Sequence, residues 1–168
     1  VKGLKMRIPG FGGEVLRRNG GIPVAMPGGE IFTALQTGTI DAAEWIGPYN
    51  DLAFGMHKVA NHYYYPGWHE GGPSLECIIN KEAFESLPDD LQAIVEIAIQ
   101  STNDTMLAEF VARNASALQQ IKKMKEIEIK PFPNEVMEAF ENTTDEIIKE
   151  IEAKEPINKK IFQSFSEY

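Results

Sequence analysis

Over residues 1–50 the hydrophobic pattern switches repeatedly between a two-residue and a helical period. In "LKMRIP" apolar and polar residues alternate, as in a strand with one covered face. "GEVLRRNGG" reads as a short helix, with Gly20 or Gly21 able to supply the left-handed residue that closes it. "IPVAM" is a second apolar run. "PGGEIFTALQTG" reads as a helix entered through glycines, with Ile31, Phe32 and Leu35 at helical spacing and Gly38 as its stop. "TIDAAEW" is a third strand. Alternation with such short connections predicts a parallel α/β layer, a βαβαβ unit over residues 1–50.

Gly47 and Pro48 then break the pattern. Residues 51–75 hold Tyr63, Tyr64, Tyr65, Trp68 and several glycines, and the cluster "YYYPGW" suits packing better than an aromatic cage. "SLECIINKEAFESL" reads as a strand and a helical turn, so residues 51–87 are expected to form a cleft loop and a crossover strand. From Pro88 the period is helical for about 35 residues, with Pro88 in the first turn and Asp89 and Asp90 favourable near its dipole. "EIEIKPF" alternates as a last strand. An acidic amphipathic helix capped by Asn134 and a short amphipathic tail, "INKKIFQSFSEY", complete a third region, residues 88–168. A helix of over about 30 residues exceeds what one compact domain needs. It would bridge two lobes or pack against another chain.

Composition narrows the function. A chain of 168 residues, 43% hydrophobic and 24% charged, can build one ordinary core. Its net charge of −9 argues against a nucleic-acid partner and against attachment to anionic membranes. No run reaches the roughly 18 apolar residues of a spanning helix. The lone Cys77 excludes an internal disulfide and a multi-cysteine zinc site. It lies in the apolar run "SLECIIN" and is expected to be a buried, inert thiol. The chain opens on Val1 rather than Met, so the first residue is not expected to be the natural beginning, and a missing signal peptide excludes little.

Arg7 and Glu44 fall near the C-terminal ends of predicted strands, where parallel layers form ligand crevices. Arg7 could clamp a carboxylate through its planar fork, or pair structurally with Glu14 or Glu30. Glu44 and Glu70 each adjoin an aromatic, glycine-broken turn. They are either two solvated acids or, with backbone carbonyls, ligands for a hard cation. His57 and His62 fall on different helix faces, His69 is isolated, and no catalytic triad, phosphate loop or zinc motif occurs. The glycine pairs in "GFGGE" and "PGGE" are weak signs of anion cradles. The residues alone thus describe an α/β binding domain with an acid-and-arginine crevice.

"GLKMRIPG", "MPGGEIFTALQTGTIDAAEW", "YYYPGWHEGGPSLECIINKEAFESLPDDLQAIV" and "PFPNEVMEAF" are more specific. Together they resemble the extracytoplasmic solute-binding proteins of TRAP transporters, the DctP-like family, and most closely its cation-dependent branch for 2-oxo acids or lactate. The resemblance spans nearly the whole chain but about the latter half to three-fifths of a family chain. It implies an α/β, periplasmic-binding-protein-like (type II-like) lobe with a long bridging helix. The N-terminal lobe, which supplies the other cleft wall, would be largely missing. By the same resemblance Arg7 clamps the substrate carboxylate. Glu44 and Trp45 bind substrate and cation, Trp45 through its carbonyl, and Glu70 is a further ligand to sodium or calcium. Several relatives that bind sugar acids or dicarboxylates carry Asn, Phe and Asn where this chain has Gly10, Gly28 and Trp45. The difference favours a small monocarboxylate.

The resemblance implies a periplasmic subunit without catalysis that passes its organic acid to a TRAP membrane permease. It also implies a homodimer through the C-terminal helices. Two other readings remain: a metal-assisted enzyme on small oxo acids using Glu44 and Glu70, and a sensor input domain of the same fold.

Overall fold

The computed structural model describes residues 1–72 and 75–167. Its first layer follows the hydrophobic pattern closely. Strand β1 (Lys5–Arg7), helix α1 (Gly10–Arg18), β2 (Ile22–Val24), α2 (Gly28–Gln36) and β3 (Ala42–Ala43) alternate in chain order. The strands are parallel, in the order β2-β1-β3, with Arg7 opposite Val24 on one side and Ala43 on the other. Gly20, at φ +85°, and Gly38, at φ +70°, close the turns after α1 and α2 in the left-handed region.

Since β2 and β3 flank β1 on opposite sides, right-handed crossovers put α1 and α2 on opposite faces of the sheet. The core divides accordingly. One cluster joins Ile8, Val15 and Leu16 to Phe140 and Ile147; the other gathers Ile31, Ala34, Ile40 and Met56. Phe140 and Ile147 come from α6 (Asn134–Glu152), the acidic helix, whose apolar stripe covers α1.

Past the sheet come α3 (Pro48–Ala53), a 3-10 turn at Met56–Lys58, and β4 (His62–Tyr64), which pairs in parallel with β5 (Glu128–Lys130) as a separate sheet. Helix α4 (Lys81–Glu85) leads to α5 (Asp89–Ile121), 33 residues or about 50 Å long. Helix α7 (Pro156–Ser166) closes the described chain. No helix among the described residues is long and apolar enough to cross a membrane.

Five expectations need correction. Pro88 stands at the cap of α5 rather than in its first turn, which opens on Asp89. Pro48 does not merely stop a strand: it is the first residue of α3, where its missing N–H costs nothing. Asn134 is the first residue of α6 rather than its cap, and Pro133 stands at the cap without a side-chain bond. Leu75–Asn80 forms no strand, and Ser74 of the expected strand lies outside the described residues. A strand needs a neighbour for its backbone hydrogen bonds. This segment has none among the described residues, and Leu75, Ile78 and Ile79 are exposed. For the same reason Cys77 is exposed rather than buried.

Candidate functional site

The strand order creates a switch point. From β1 the chain turns one way to β2, while β3 joins from the other side, and loops leaving such a point part to form a crevice. Arg7 ends β1, and Glu44 directly follows β3. The Glu44 N–H donates to the Arg7 carbonyl at 2.9 Å, continuing the ladder and locking the two residues side by side.

Their side chains meet as well. Arg7 Nη1 donates to the Glu44 carboxylate and, at 3.1 Å, to its carbonyl, while Nε donates to the Met26 carbonyl at 3.4 Å. The side chains are only 13% and 12% exposed, so each charge depends on the other for compensation. Arg7 therefore pairs with neither of the two acids considered from sequence. Glu14 instead holds Arg17 and Arg18, whose guanidinium groups pull its carboxyl down to about 2. Arg7 Nη2 donates to nothing among the described residues and offers an open edge of the fork.

Trp45 forms the floor. Its ring lies 5.2 Å from the Arg7 guanidinium and packs tilted against Phe54 at 5.1 Å. Gly28 makes this possible, because a Cβ there would collide with the indole. The Trp45 Nε1 donor is buried without a partner among the described residues.

A second limb reaches the site after β4. Trp68 packs tilted against Phe140 at 4.6 Å and fastens the limb to the core. The next residue, His69, brings Nε2 to 3.4 Å from Glu44 Oε2, in space left by Gly12. Glu70 follows on the exposed side. One ligand atom each from Glu44, His69 and Glu70 lies within 4.8 Å of the others. Thus Arg7, Glu44, Trp45 and Glu70 converge on one end of the sheet, and His69, read as isolated, joins them. The signal for it was its place between Trp68 and Glu70 in "WHE".

Two carboxylates with nearby main-chain carbonyls fit a hard cation such as sodium or calcium. An imidazole nitrogen suits softer metals, so His69 fits better as the neighbour that orients Glu44 than as a ligand. Two shallow hollows lie elsewhere: a cavity of about 30 Å³ beside Asp51 and a groove of about 320 Å³ between α3 and α5. The acid-and-arginine end of the sheet is an open wall.

Residues 1–155 match the family described as bacterial extracellular solute-binding protein, family 7, DctP. The chain belongs to that family. A monocarboxylate 2-oxoacid-binding periplasmic protein of Nostoc sp. (strain PCC 7120) is 40% identical over 168 residues, all of this chain and 46% of its own. A TRAP periplasmic solute binding protein from Colwellia psychrerythraea, with bound calcium and pyruvate, is 43% identical. Its structure matches with a TM-score of 0.91, over 99% of this chain and 51% of that one. Its counterpart from Pseudoalteromonas atlantica, with bound sodium and pyruvate, is 41% identical with a TM-score of 0.90, over the same shares. The chain spans about half the length of these relatives, and its lobe has the TRAP solute-binding fold expected from its motifs.

Proposed function

We propose that this chain is the ligand-holding lobe of a periplasmic TRAP solute-binding subunit. The ligand is a small monocarboxylate, a 2-oxo acid such as pyruvate or else lactate, taken together with sodium or calcium. The observation behind this reading is the nearly buried Arg7–Glu44 pair at the switch point, with Glu70 a few ångströms away.

In this reading Arg7 turns the free edge of its fork to the substrate carboxylate, giving charge-assisted bonds in fixed geometry. Trp45 holds the guanidinium from below and limits the space to a small acid. Glu44, the Trp45 carbonyl and Glu70 hold the cation, which supplies a positive charge for the carboxylate and the keto or hydroxyl oxygen. Polypeptide outside this chain closes the open wall and excludes water. Residues 1–50 form the binding layer, 51–87 the cleft segment and 88–168 the bridging region.

The subunit captures and releases its ligand unchanged. It delivers it to the membrane permease and acts as a homodimer; the exposed row Ile157, Ile161 and Phe165 on α7 supports a contact there.

Titrating the protein at its full encoded length with pyruvate tests the reading, with tryptophan fluorescence as the signal. Runs with chelator, sodium and calcium should show a saturable change only with a cation. Arg7→Lys keeps the charge, removes the fork, and should weaken binding roughly tenfold or more. Pyruvate should be recovered intact. A flat trace under all three conditions sinks the proposal, and consumption of pyruvate would favour the enzymatic alternative.

A further inference from the structure

Glu44 and Glu70 belong to limbs that are built separately. Glu44 extends β3 of the three-stranded sheet, whereas His69 and Glu70 follow β4, whose ladder partner is β5. Trp68 fixes the far end of the second limb to Phe140. Besides the His69–Glu44 contact at the site, a side-chain bond joins the limbs at the near end. Tyr63 of β4 donates its hydroxyl to Asp51 Oδ2 of α3 at 2.5 Å. The Asp51 N–H in turn donates to the Gly47 carbonyl at 2.8 Å, just past Trp45, so the residue that Tyr63 holds is itself anchored beside the first limb.

We propose that Asp51 and Tyr63 are positioning residues that hold the Trp68–Glu70 limb in register with Glu44 and thereby set the affinity for the cation. This inference rests on reading Glu44 and Glu70 as cation ligands. Neither Asp51 nor Tyr63 belongs to the ligand group, so both act through the chain that carries it. A partner of this kind typically changes metal affinity 10- to 100-fold when removed.

The surroundings give the bond a pH signature. Burial, partly opposed by the Tyr63 and Gly47 bonds and assisted by the Glu44 charge, raises the Asp51 carboxyl to about 6. His57 of the 3-10 turn and His62 of β4 line the small cavity next to it; among the described residues α5 and the approach to β5 contribute the apolar Ile121 and Ile127 to its lining. Burial also raises the Tyr63 hydroxyl well above its ordinary value, so it remains a donor.

The test combines calcium binding by calorimetry, with pyruvate present, with amide hydrogen exchange over residues 62–70, on the full-length protein. Tyr63→Phe should speed exchange across this limb without any cation and raise the calcium Kd roughly tenfold or more. Asp51→Asn still accepts from Tyr63, so it should retain most of the affinity at pH 7 and flatten its dependence between pH 5 and 7. Wild-type exchange and affinity in Tyr63→Phe overturn the proposal. So does an Asp51→Asn variant as defective as Tyr63→Phe, which would make charge rather than position the cause. A wild type that binds neither calcium nor sodium with pyruvate present instead overturns the cation reading, and the exchange data then show whether the two limbs are tied at all.

Discussion

Helix α5 holds the same kinds of apolar residue at its two ends, and they meet opposite surroundings. Near its C-terminus, Ala117 and Ile121 are 3% and 1% exposed. There α3 crosses the helix; Tyr49 donates its N–H to Asn114 Oδ1 at 3.0 Å and presents its ring edge-on to Phe110. Toward the N-terminus, Ile94 is 60% and Ile97 68% exposed, and the apolar segment 75–80 is bare as well. Apolar exposure on this scale marks a surface meant to be covered. The contrast teaches that a helical period reports which residues want burial, but not what buries them.

The largest expected effect tests that contrast directly. Ile121→Ala should destabilise the chain by about 3 kcal/mol in chemical denaturation, through lost transfer energy and a cavity. Ile97→Ala should stay within about 0.5 kcal/mol. Equal losses would mean that the bare face is already covered by self-association.

A smaller effect probes the covered end through α3. The Asp51 carboxyl is raised from 3.8 to about 6, so the folded chain holds a proton between these values that the unfolded chain releases. The resulting stability is present below about 4 and lost as pH rises through 6, an effect of up to about 2–3 kcal/mol. Wild type should therefore gain stability relative to Asp51→Asn on going from pH 7 to pH 4.5. Parallel pH profiles would show that the carboxyl is solvated.

The smallest effect lies on the solvated side, where Arg18 bridges Glu14 of α1 and Glu150 of α6. Arg18→Ala should let the Glu14 carboxyl rise from about 2 toward its ordinary value in an NMR titration. Its stability cost should be slight and vanish at high salt. A loss rivalling that of Ile121→Ala would show that the α1–α6 contact depends on charge more than on Phe140 and Ile147.

Legibility followed the reach of the interactions. The elements β1, α1, β2 and α2 were visible because their periodicity and glycine stops are local. Helix α3 was hidden because Gly47 and Pro48 read as a break, and a proline serves as well at a first turn as after a last one. The segment 75–80 has the apolar content of a strand, yet pairing is a property of its neighbour. In the site, Arg7, Glu44 and Glu70 were each legible as candidates. That Arg7 would pair with Glu44, 37 residues away, depended on the order of strands in the sheet. His69 was discounted because it had no partner at ligand spacing; its neighbour Glu44 belongs to the other limb.

The Arg7–Glu44 pair has a consequence for what the wall admits. A lone carboxylate drawn to Arg7 competes with Glu44 and leaves that acid under-neutralised, while a lone cation drawn to Glu44 does the same to Arg7. Leaving such a charge uncompensated when buried costs several kcal/mol. A salt arriving as both ions replaces one internal bond by two external ones and strands nothing. On the proposed function the wall would work as a coincidence detector: each ion would raise the affinity for the other, by the same factor in both directions.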